Sequence, residues 1–222
     1  MIYAVEREYI WSCRACFVYL LYENVVFDLG RVVFAQNPAK SSAEFKQFFS
    51  YVSQTPMPQF WVDYDLGLSS LDKVASDLAE YRSVEAEYAR DMILQAIARQ
   101  ETIAPTHALI KDLKSAGYRL YVLSNMSYDF IQYLRKQPVY ENFEGEVISC
   151  EVGVVKPSPN IYEILLERYA LNPAETIFID DRIENVAAAE AFGMATYHFD
   201  RNNSEDSCKK LREILLSEES DE

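Results

Sequence analysis

The chain has 222 residues, half of them hydrophobic and a quarter charged, which excludes an intrinsically disordered protein and allows one domain with an insertion. Its 35 acidic and 21 basic residues give a formal net charge of −14, which argues against non-specific nucleic-acid binding. This charge repels anionic substrates, so a site for a phosphorylated compound must supply its own cations.

Residues 1–22 are predicted to form an N-terminal extension of uncertain structure, rich in aromatic side chains. Cys13 and Cys16 have a CxxC spacing, but no second pair follows, which favours two small apolar residues in a buried segment over a metal or redox site. The apolar stretch is interrupted by Arg14 and falls short of the roughly 20 residues that a membrane span needs. It also lacks a clear signal-peptide cleavage site, so we expect a cytoplasmic protein.

The short apolar run Val25-Val26-Phe27 is typical of a parallel strand that is buried on both faces. Asp28 follows it directly, and Gly30 comes two residues later. A carboxylate at the carboxyl end of such a strand lies where open α/β sheets hold their ligands. An Asp that merely caps the next turn is the alternative.

Residues 36–100 are predicted to form a helical unit inserted after the first strand. Ser42, followed by Glu44, resembles a helix N-cap, and apolar residues then recur at helical spacing. Ser70 is predicted to cap a second helix, and a third runs from about residue 84 to residue 99. No strong strand pattern appears between residues 41 and 100.

From Pro105 onward the pattern alternates between helices and strands. Strands are predicted at residues 119–123, 146–149, 177–179 and 195–199. This alternation indicates a parallel sheet built from βα units. Residues 23–35 and 101–217 are therefore predicted to form one α/β core domain, followed by an acidic tail at residues 218–222.

Three later stretches carry polar side chains at or just after predicted strands. Ser124 and Asn125 end one strand, Lys156 lies just before a predicted helix, and the Asp180-Asp181 pair ends another strand. Taken singly, these features have structural explanations: a strand-to-loop turn, a solvated loop cation and a helix N-cap, respectively.

Together these positions resemble the haloacid dehalogenase-like superfamily of phosphohydrolases. The resemblance covers roughly residues 25–199 and rests on the order of Asp28, Ser124, Lys156 and the Asp180-Asp181 pair. It implies a three-layer, Rossmann-like α/β domain with a parallel sheet and an inserted small helical cap.

The resemblance also implies a magnesium site. Mg²⁺ would be held by Asp28, the backbone carbonyl of Gly30 and Asp181, with Asp180 in a supporting position. Such oxygen ligands suit a hard divalent cation.

By the same resemblance, Asp28 is the nucleophile that forms an aspartyl-phosphate. Ser124 and the backbone of Asn125 would donate to the phosphoryl oxygens, and Lys156 would neutralise charge around Asp28 and the phosphate.

Gly30 departs from the pattern of most phosphatases of the superfamily, which carry a general-acid Asp at this position. General acid–base assistance is worth roughly 10²–10⁴-fold in rate, so its loss is tolerated best by a substrate with a good leaving group. A sugar 1-phosphate or an acyl phosphate meets that requirement. A subgroup with the phrase FDLG, a variable residue and Val, which includes bacterial glucose-1-phosphate phosphatases, has the same Gly, and this sequence resembles it most.

We therefore predict a Mg²⁺-dependent phosphatase that acts on a small phosphorylated metabolite, such as a sugar phosphate. A 2-haloacid dehalogenase is one alternative, since it also lacks the second Asp, although Asp180-Asp181 stands where dehalogenases usually have Ser-Asn. A non-catalytic binding protein with the same fold is the other. No nucleic-acid or membrane partner is expected, and the oligomeric state is open between monomer and homodimer.

Overall fold

The computed structural model describes residues 22–37 and 40–216. The predictions for the CxxC pair and the acidic tail, and all but the last residue of the predicted N-terminal extension, lie outside the described residues.

The described residues contain seven strands. They are β1 (Asn24–Phe27), β2 (Phe34–Gln36), β3 (Gln100–Thr102), β4 (Arg119–Ser124), β5 (Gly145–Ile148), β6 (Thr176–Asp180) and β7 (Ala195–His198). Five of them form a parallel sheet in the order β5-β4-β1-β6-β7. β1 is the central strand, hydrogen-bonded to β4 on one side and to β6 on the other.

Ten α-helices accompany the strands in the described part of the chain. They are α1 (Ala43–Phe48), α2 (Gln59–Asp65), α3 (Leu71–Arg82), α4 (Ala86–Ala98), α5 (Ala104–Ser115), α6 (Tyr128–Leu134), α7 (Ser149–Val152), α8 (Pro159–Tyr169), α9 (Ile183–Glu190) and α10 (Ser204–Leu215). Short 3₁₀ helices lie at Ser50–Ser53, Pro138–Asn142 and Pro173–Glu175. No helix among the described residues is long and apolar enough to cross a bilayer.

The central strand is buried on both faces, as its apolar run predicts. Val25 and Phe27 point into a core shared with α5 and α10, whereas Val26 points into a second core shared with α8 and α9. Alternate side chains of one strand thus enter opposite layers, because successive residues of a strand face opposite sides of the sheet. The prediction of a three-layer α/β fold with a parallel sheet is confirmed.

Helices α1–α4 enclose a separate apolar core that includes Trp61 and Ile93. The Ser42 Oγ accepts a hydrogen bond from the Phe45 amide at 3.1 Å, and the Ser70 Oγ accepts one from the Lys73 amide at 3.2 Å, so both serines cap helices. These bonds satisfy amides that a helix leaves without an internal partner.

The ends of this helical segment are joined by an unpredicted two-stranded ribbon. β2 pairs antiparallel with β3, in a register that matches Phe34 with Thr102 and Gln36 with Gln100. The prediction of no strand up to residue 100 is therefore wrong at its last residue, where β3 begins. The helical segment also contacts the sheet domain, since Phe130 of α6 packs into its core, 6.3 Å from the Trp61 ring.

Candidate active site

The carboxyl ends of three adjacent strands bring the candidate residues together. Asp28 follows β1, Ser124 is the last residue of β4, and Asp180 is the last residue of β6. Phe27 is level with Val122 on one side and with Ile179 on the other. Because parallel neighbours end at the same edge of the sheet, residues far apart in sequence meet there.

Lys156 lies at the centre of the site and is buried, unlike a solvated loop cation. Its Nζ lies 2.8 Å from Asp28 Oδ1, 2.6 Å from Asp180 Oδ2 and 2.7 Å from the Leu123 carbonyl oxygen. The Lys156 side chain is only 1% exposed. The ammonium group therefore has three acceptors, which satisfies all of its donors without water.

The side chain of Asn125 fixes the backbone of Lys156. Its Oδ1 accepts from the Lys156 amide at 2.7 Å, and its Nδ2 donates to the Lys156 carbonyl oxygen at 2.9 Å. The side-chain amide of Asn125 thus bonds to both the amide and the carbonyl group of Lys156, as a residue of a neighbouring β-strand would. This positioning contact was not predicted, since the sequence suggested a role for the Asn125 backbone.

Ser124 and Gly30 lie on different sides of the Asp28 carboxylate. The Ser124 Oγ donates to Asp28 Oδ1 at 2.9 Å, the same oxygen that Lys156 contacts. A Cβ added at Gly30 would lie 3.8 Å from Asp28 Oδ2. One oxygen of Asp28 is therefore held by two donors, and the other is on the side where Gly30 provides no side chain.

The carboxylates of Asp28, Asp180 and Asp181 can together hold a metal ion. Each offers one oxygen, and these oxygens lie within 4.8 Å of one another. Oxygen ligands of this kind suit Mg²⁺, and a cation would reduce the repulsion among the three carboxylates. The residues present therefore fit the metal that the sequence suggested.

Asp180 and Asp181 differ in how the protein engages them. Asn185 Nδ2 donates to both oxygens of Asp180, at 3.1 and 3.0 Å, and the Arg182 amide donates to Oδ1 at 2.8 Å. Asp181 has one ion pair, in which Arg201 Nη1 lies 3.1 Å from its Oδ2. Several protein groups thus fix the orientation of the Asp180 carboxylate. The Asp181 carboxylate has fewer protein contacts and is more available to a metal ion.

Burial and mutual repulsion shape the pKa values of these groups. Burial raises the pKa of Asp28 to about 7; Lys156 opposes this effect, and the charges of Asp180 and Asp181 add to it. Burial and the Asp180 charge also raise the pKa of Asp181. Burial alone would lower the pKa of Lys156, but the two carboxylates beside it raise the pKa above its ordinary value. A bound cation favours the ionised carboxylates.

Sequence inspection missed four polar residues at or near the site. Asn185 orients Asp180, Arg201 pairs with Asp181, and the positive charge of Arg31 interacts with both Asp181 and Asp28. Asp65, at the end of α2, is the fourth: burial raises its pKa to about 7, Arg182 opposes this and the Asp28 charge adds to it. Arg201 comes three residues after β7, so the strand-end pattern that indicated the other positions could have found it.

Known proteins resemble this chain in sequence and in fold. A family model for haloacid dehalogenase-like hydrolases matches residues 24–193. The chain is 26% identical over 196 residues to sesquiterpene phosphatase astK of Aspergillus oryzae, covering 87% of this chain and 97% of that protein. It is 24% identical over 128 residues to (S)-2-haloacid dehalogenase 4A of Burkholderia cepacia, covering 57% of this chain and 55% of that protein.

A solved structure shares the fold. The HAD family enzyme bt-2542 from Bacteroides thetaiotaomicron, in complex with magnesium and inorganic phosphate, matches with a TM-score of 0.63 at 20% identity, over 81% of this chain and 95% of that chain. This likeness concerns the architecture, and the family assignment rests on the match to residues 24–193, which spans most of the sequence. On that basis the chain belongs to the haloacid dehalogenase-like hydrolases.

Proposed function

We propose that this hydrolase is a Mg²⁺-dependent phosphatase that acts on a small phosphorylated metabolite through an aspartyl-phosphate at Asp28. The observation that carries the proposal is the buried Asp28 carboxylate, which accepts bonds from Ser124 and Lys156 and shares a metal-compatible cluster with Asp180 and Asp181. Sesquiterpene phosphatase astK, which matches along nearly its whole length, supports the choice of a phosphatase.

In this proposal, Asp28, the Gly30 carbonyl and Asp181 hold Mg²⁺, and Asp180 supports them. When bound, the ion screens the negative charge of the phosphoryl group from that of the nucleophile. The bonds from Asn185 to both oxygens of Asp180 fit its supporting position. The complex of bt-2542 with magnesium and inorganic phosphate is consistent with the choice of metal.

The chain's own residues perform the chemical step. One Asp28 oxygen attacks phosphorus, the bond from phosphorus to the ester oxygen breaks, and water later hydrolyses the aspartyl-phosphate. Lys156 favours the ionised form of Asp28 and compensates the charge of the phosphoryl group. The Asn125 backbone donates to the phosphoryl oxygens, as does the Ser124 hydroxyl once it turns away from Asp28. Positioning and charge stabilisation of this kind carry most of the catalysis of phosphoryl transfer.

The finer parts of the proposal concern substrate and domain roles. The FDLG phrase favours a leaving group better than a simple alkoxide, as in sugar 1-phosphates. Residues 36–100 are proposed to act as a cap over the site, and the cytoplasm is the proposed location.

A dehalogenase is the second candidate, because a (S)-2-haloacid dehalogenase is among the similar proteins. Such an enzyme attacks carbon and needs no metal. The cluster of three carboxylates favours the phosphatase, since a site that binds no metal has no use for a third carboxylate beside Asp28 and Asp180.

Phosphate release from 4-nitrophenyl phosphate and glucose 1-phosphate tests the proposal, with Mg²⁺ and with a chelator. We expect Mg²⁺-dependent release that Asp28→Asn abolishes, because an amide neither attacks phosphorus nor binds Mg²⁺ well. Asp91→Asn, at an exposed position on α4, serves as the control and should retain full activity. Halide release from 2-chloropropionate in the presence of a chelator would establish the dehalogenase instead. If the protein releases neither phosphate nor halide, a non-catalytic binding protein is the remaining interpretation.

A further inference from the structure

Three arginines converge beside the proposed metal site, although the chain as a whole is strongly acidic. Arg201 pairs with Asp181, Arg182 directly follows Asp181, and Arg31 directly follows Gly30. Burial lowers the pKa of Arg31, and the positive charges of Arg201 and Arg182 lower it further. Arg31 is therefore close enough to Arg201 and to Arg182 for their charges to affect it.

Two of these arginines also reach the helical segment. Arg31 Nη2 donates to the Ser53 Oγ at 2.8 Å, and Arg182 Nη2 donates to the Thr55 Oγ1 at 3.2 Å. Arg31 has a φ of +63°, a left-handed conformation that is uncommon for a residue other than Gly. Backbone strain of this kind is found preferentially at functional sites, where it fixes the direction of a side chain.

Arg182 and Arg201 line a cavity of about 500 Å³ between the sheet domain and the helical segment. Arg31 does not line it directly but donates a hydrogen bond to Ser53, which does. Ser53 and Thr55 line it on one side. The other side carries the guanidinium groups of Arg182 and Arg201 and the carboxylates of Asp181, Glu184 and Asp200. Because Asp181 belongs to both the cavity and the carboxylate cluster, the cavity is a direct extension of the active site.

Not all of the positive charge at this cavity is compensated. Arg182 Nε pairs with Glu184 at 3.0 Å, and Arg201 pairs with Asp181. Arg31 makes no ion pair within 4 Å among the residues that the structure describes, and its side chain is partly exposed to solvent. If Asp181 binds a metal, Arg201 shares its carboxylate partner with that metal. The guanidinium groups of Arg31 and Arg201 are then available to bind an anion.

Gly30 indicates which anion fits this arrangement. Without a general acid, the leaving group must depart as an anion, which an alkoxide does slowly and a phosphate does readily, because the second pKa of a phosphate ester is near 6. Guanidinium groups bind phosphate through paired, charge-assisted hydrogen bonds. The arginines can therefore stabilise the charge of a departing phosphate, for which no protonation is needed.

We propose that the substrate is an organic diphosphate, with its terminal phosphoryl group at Asp28 and its inner phosphoryl group bound by Arg31 and Arg201. This inference rests on the proposed phosphatase function. A bond forms between an Asp28 oxygen and the terminal phosphorus, and the bond from that phosphorus to the bridging oxygen breaks. The electron pair stays on the bridging oxygen, which leaves with the organic monophosphate. Water then hydrolyses the aspartyl-phosphate and releases inorganic phosphate.

Three probes test the proposal by phosphate release: butyl phosphate, butyl diphosphate and butane-1,4-diyl bisphosphate. The bisphosphate has a second anion but an alkoxide leaving group. We expect kcat/KM to be highest for the diphosphate. Arg31→Gln should lower the ratio of kcat/KM for butyl diphosphate to that for butyl phosphate by about 10- to 100-fold, the effect of losing a charge-assisted contact. Arg90→Gln, at an exposed arginine on α4 that pairs with Asp72, should leave the ratio unchanged.

Binding is measured separately from turnover in the Asp28→Asn background. Isothermal titration with butyl diphosphate should show weaker binding when Arg31→Gln is added, with and without Mg²⁺. If Arg31→Gln does not fold, as judged by circular dichroism, Arg201→Gln replaces it in both measurements.

The outcomes separate the two proposals. Mg²⁺-dependent hydrolysis of butyl phosphate or 4-nitrophenyl phosphate with no preference for the diphosphate would overturn the diphosphate proposal and leave the phosphatase standing. A higher kcat/KM for the bisphosphate than for the diphosphate would also overturn the diphosphate proposal and leave the phosphatase standing. No Mg²⁺-dependent release from any probe would overturn both.

Discussion

The Nζ of Lys156 lies 2.6 Å from Oδ2 of Asp180, and the two side chains are 1% and 0% exposed. The same ammonium group contacts Asp28, so one buried cation compensates two carboxylates. Removing one partner of a buried ion pair is costly, because the other charge remains away from water without compensation.

Lys156→Met should therefore destabilise the protein. Met keeps much of the apolar side chain and removes the charge, and we expect the free energy of unfolding at pH 7 to fall by about 3–5 kcal/mol. Urea denaturation measures this difference. Lys73→Met is the matched control: Lys73 pairs with Asp77 on the exposed face of α3, and its loss should cost less than about 0.5 kcal/mol. Equal stability of the two variants would contradict the structural role of Lys156.

Gly30→Asp should supply the missing general acid. Gly30 is not in the left-handed region, and its added Cβ would have no neighbour closer than 3.8 Å, so a side chain can begin there without a clash at Cβ. We expect hydrolysis of an alkyl phosphate to increase by about 10-fold or more, and that of an aryl phosphate to increase less, since phenolate departs without a proton. Steady-state kinetics on both substrates measures the difference.

Gly30→Asn provides the control for that experiment, because it has nearly the same shape and no acidic proton. A gain in the Asn variant, or equal changes for alkyl and aryl substrates in the Asp variant, would show that no acid is lacking at this position.

Gly67→Ala should weaken the contact between α2 and α7. Gly67 has a φ of +73°, and an added Cβ would lie 2.6 Å from the Cys150 carbonyl oxygen. Gly117 has a φ of +95° but nothing within 4 Å of its added Cβ, so Gly117→Ala isolates the cost of the backbone conformation. We expect about 1 kcal/mol for Gly117→Ala and about 2–4 kcal/mol for Gly67→Ala in thermal or urea unfolding. Similar losses of stability in both variants would show that the backbone at Cys150 shifts to accommodate the added Cβ.

Asp65→Asn should change how stability depends on pH. Burial raises the pKa of Asp65 to about 7 from 3.8, with Arg182 opposing this and Asp28 adding to it. Between these values the folded protein keeps a proton that the unfolded chain releases. The stabilising contribution is therefore complete below about pH 4 and is lost as the pH rises through about 7.

Because Asn does not titrate, the variant should gain stability relative to the parent as the pH rises. We expect about 1–2 kcal/mol between pH 4 and pH 8, less than full burial implies, since Asp65 keeps some contact with solvent. Urea denaturation at both pH values measures the gain, with the exposed Asp91→Asn as a control that should show none. A difference between parent and variant that is the same at both pH values would rule out this titration.

Local sequence was sufficient to predict much of the fold. The apolar runs that became β1, β4 and β6 are buried on both faces and end in polar side chains, so each carries its own signal. Ser42 and Ser70 cap helices through contacts with residues three positions later, which are also readable locally. The meeting of Asp28, Ser124 and Asp180 followed from the strand ends once a parallel sheet was predicted.

Features that depend on distant partners were not predictable in this way. β2 and β3 have three residues each and are only partly buried, and each is a strand because of the other. The convergence of Arg31 and Arg201 depends on the strand order that places β1 beside β6 and β6 beside β7. The sequence around Arg31 and Arg201 does not indicate that strand order.

The pairing of β2 with β3 makes the helical segment an exchangeable module. Gln36 and Gln100 face each other in antiparallel register, so a two-residue turn such as Asn-Gly could replace everything between them and close an ordinary hairpin. The order of the five-stranded sheet does not depend on what the hairpin carries. Different insertions can therefore be grafted at this base, provided that they cover the surfaces that α2 now contacts, which are Phe130 and the α7 backbone at Cys150.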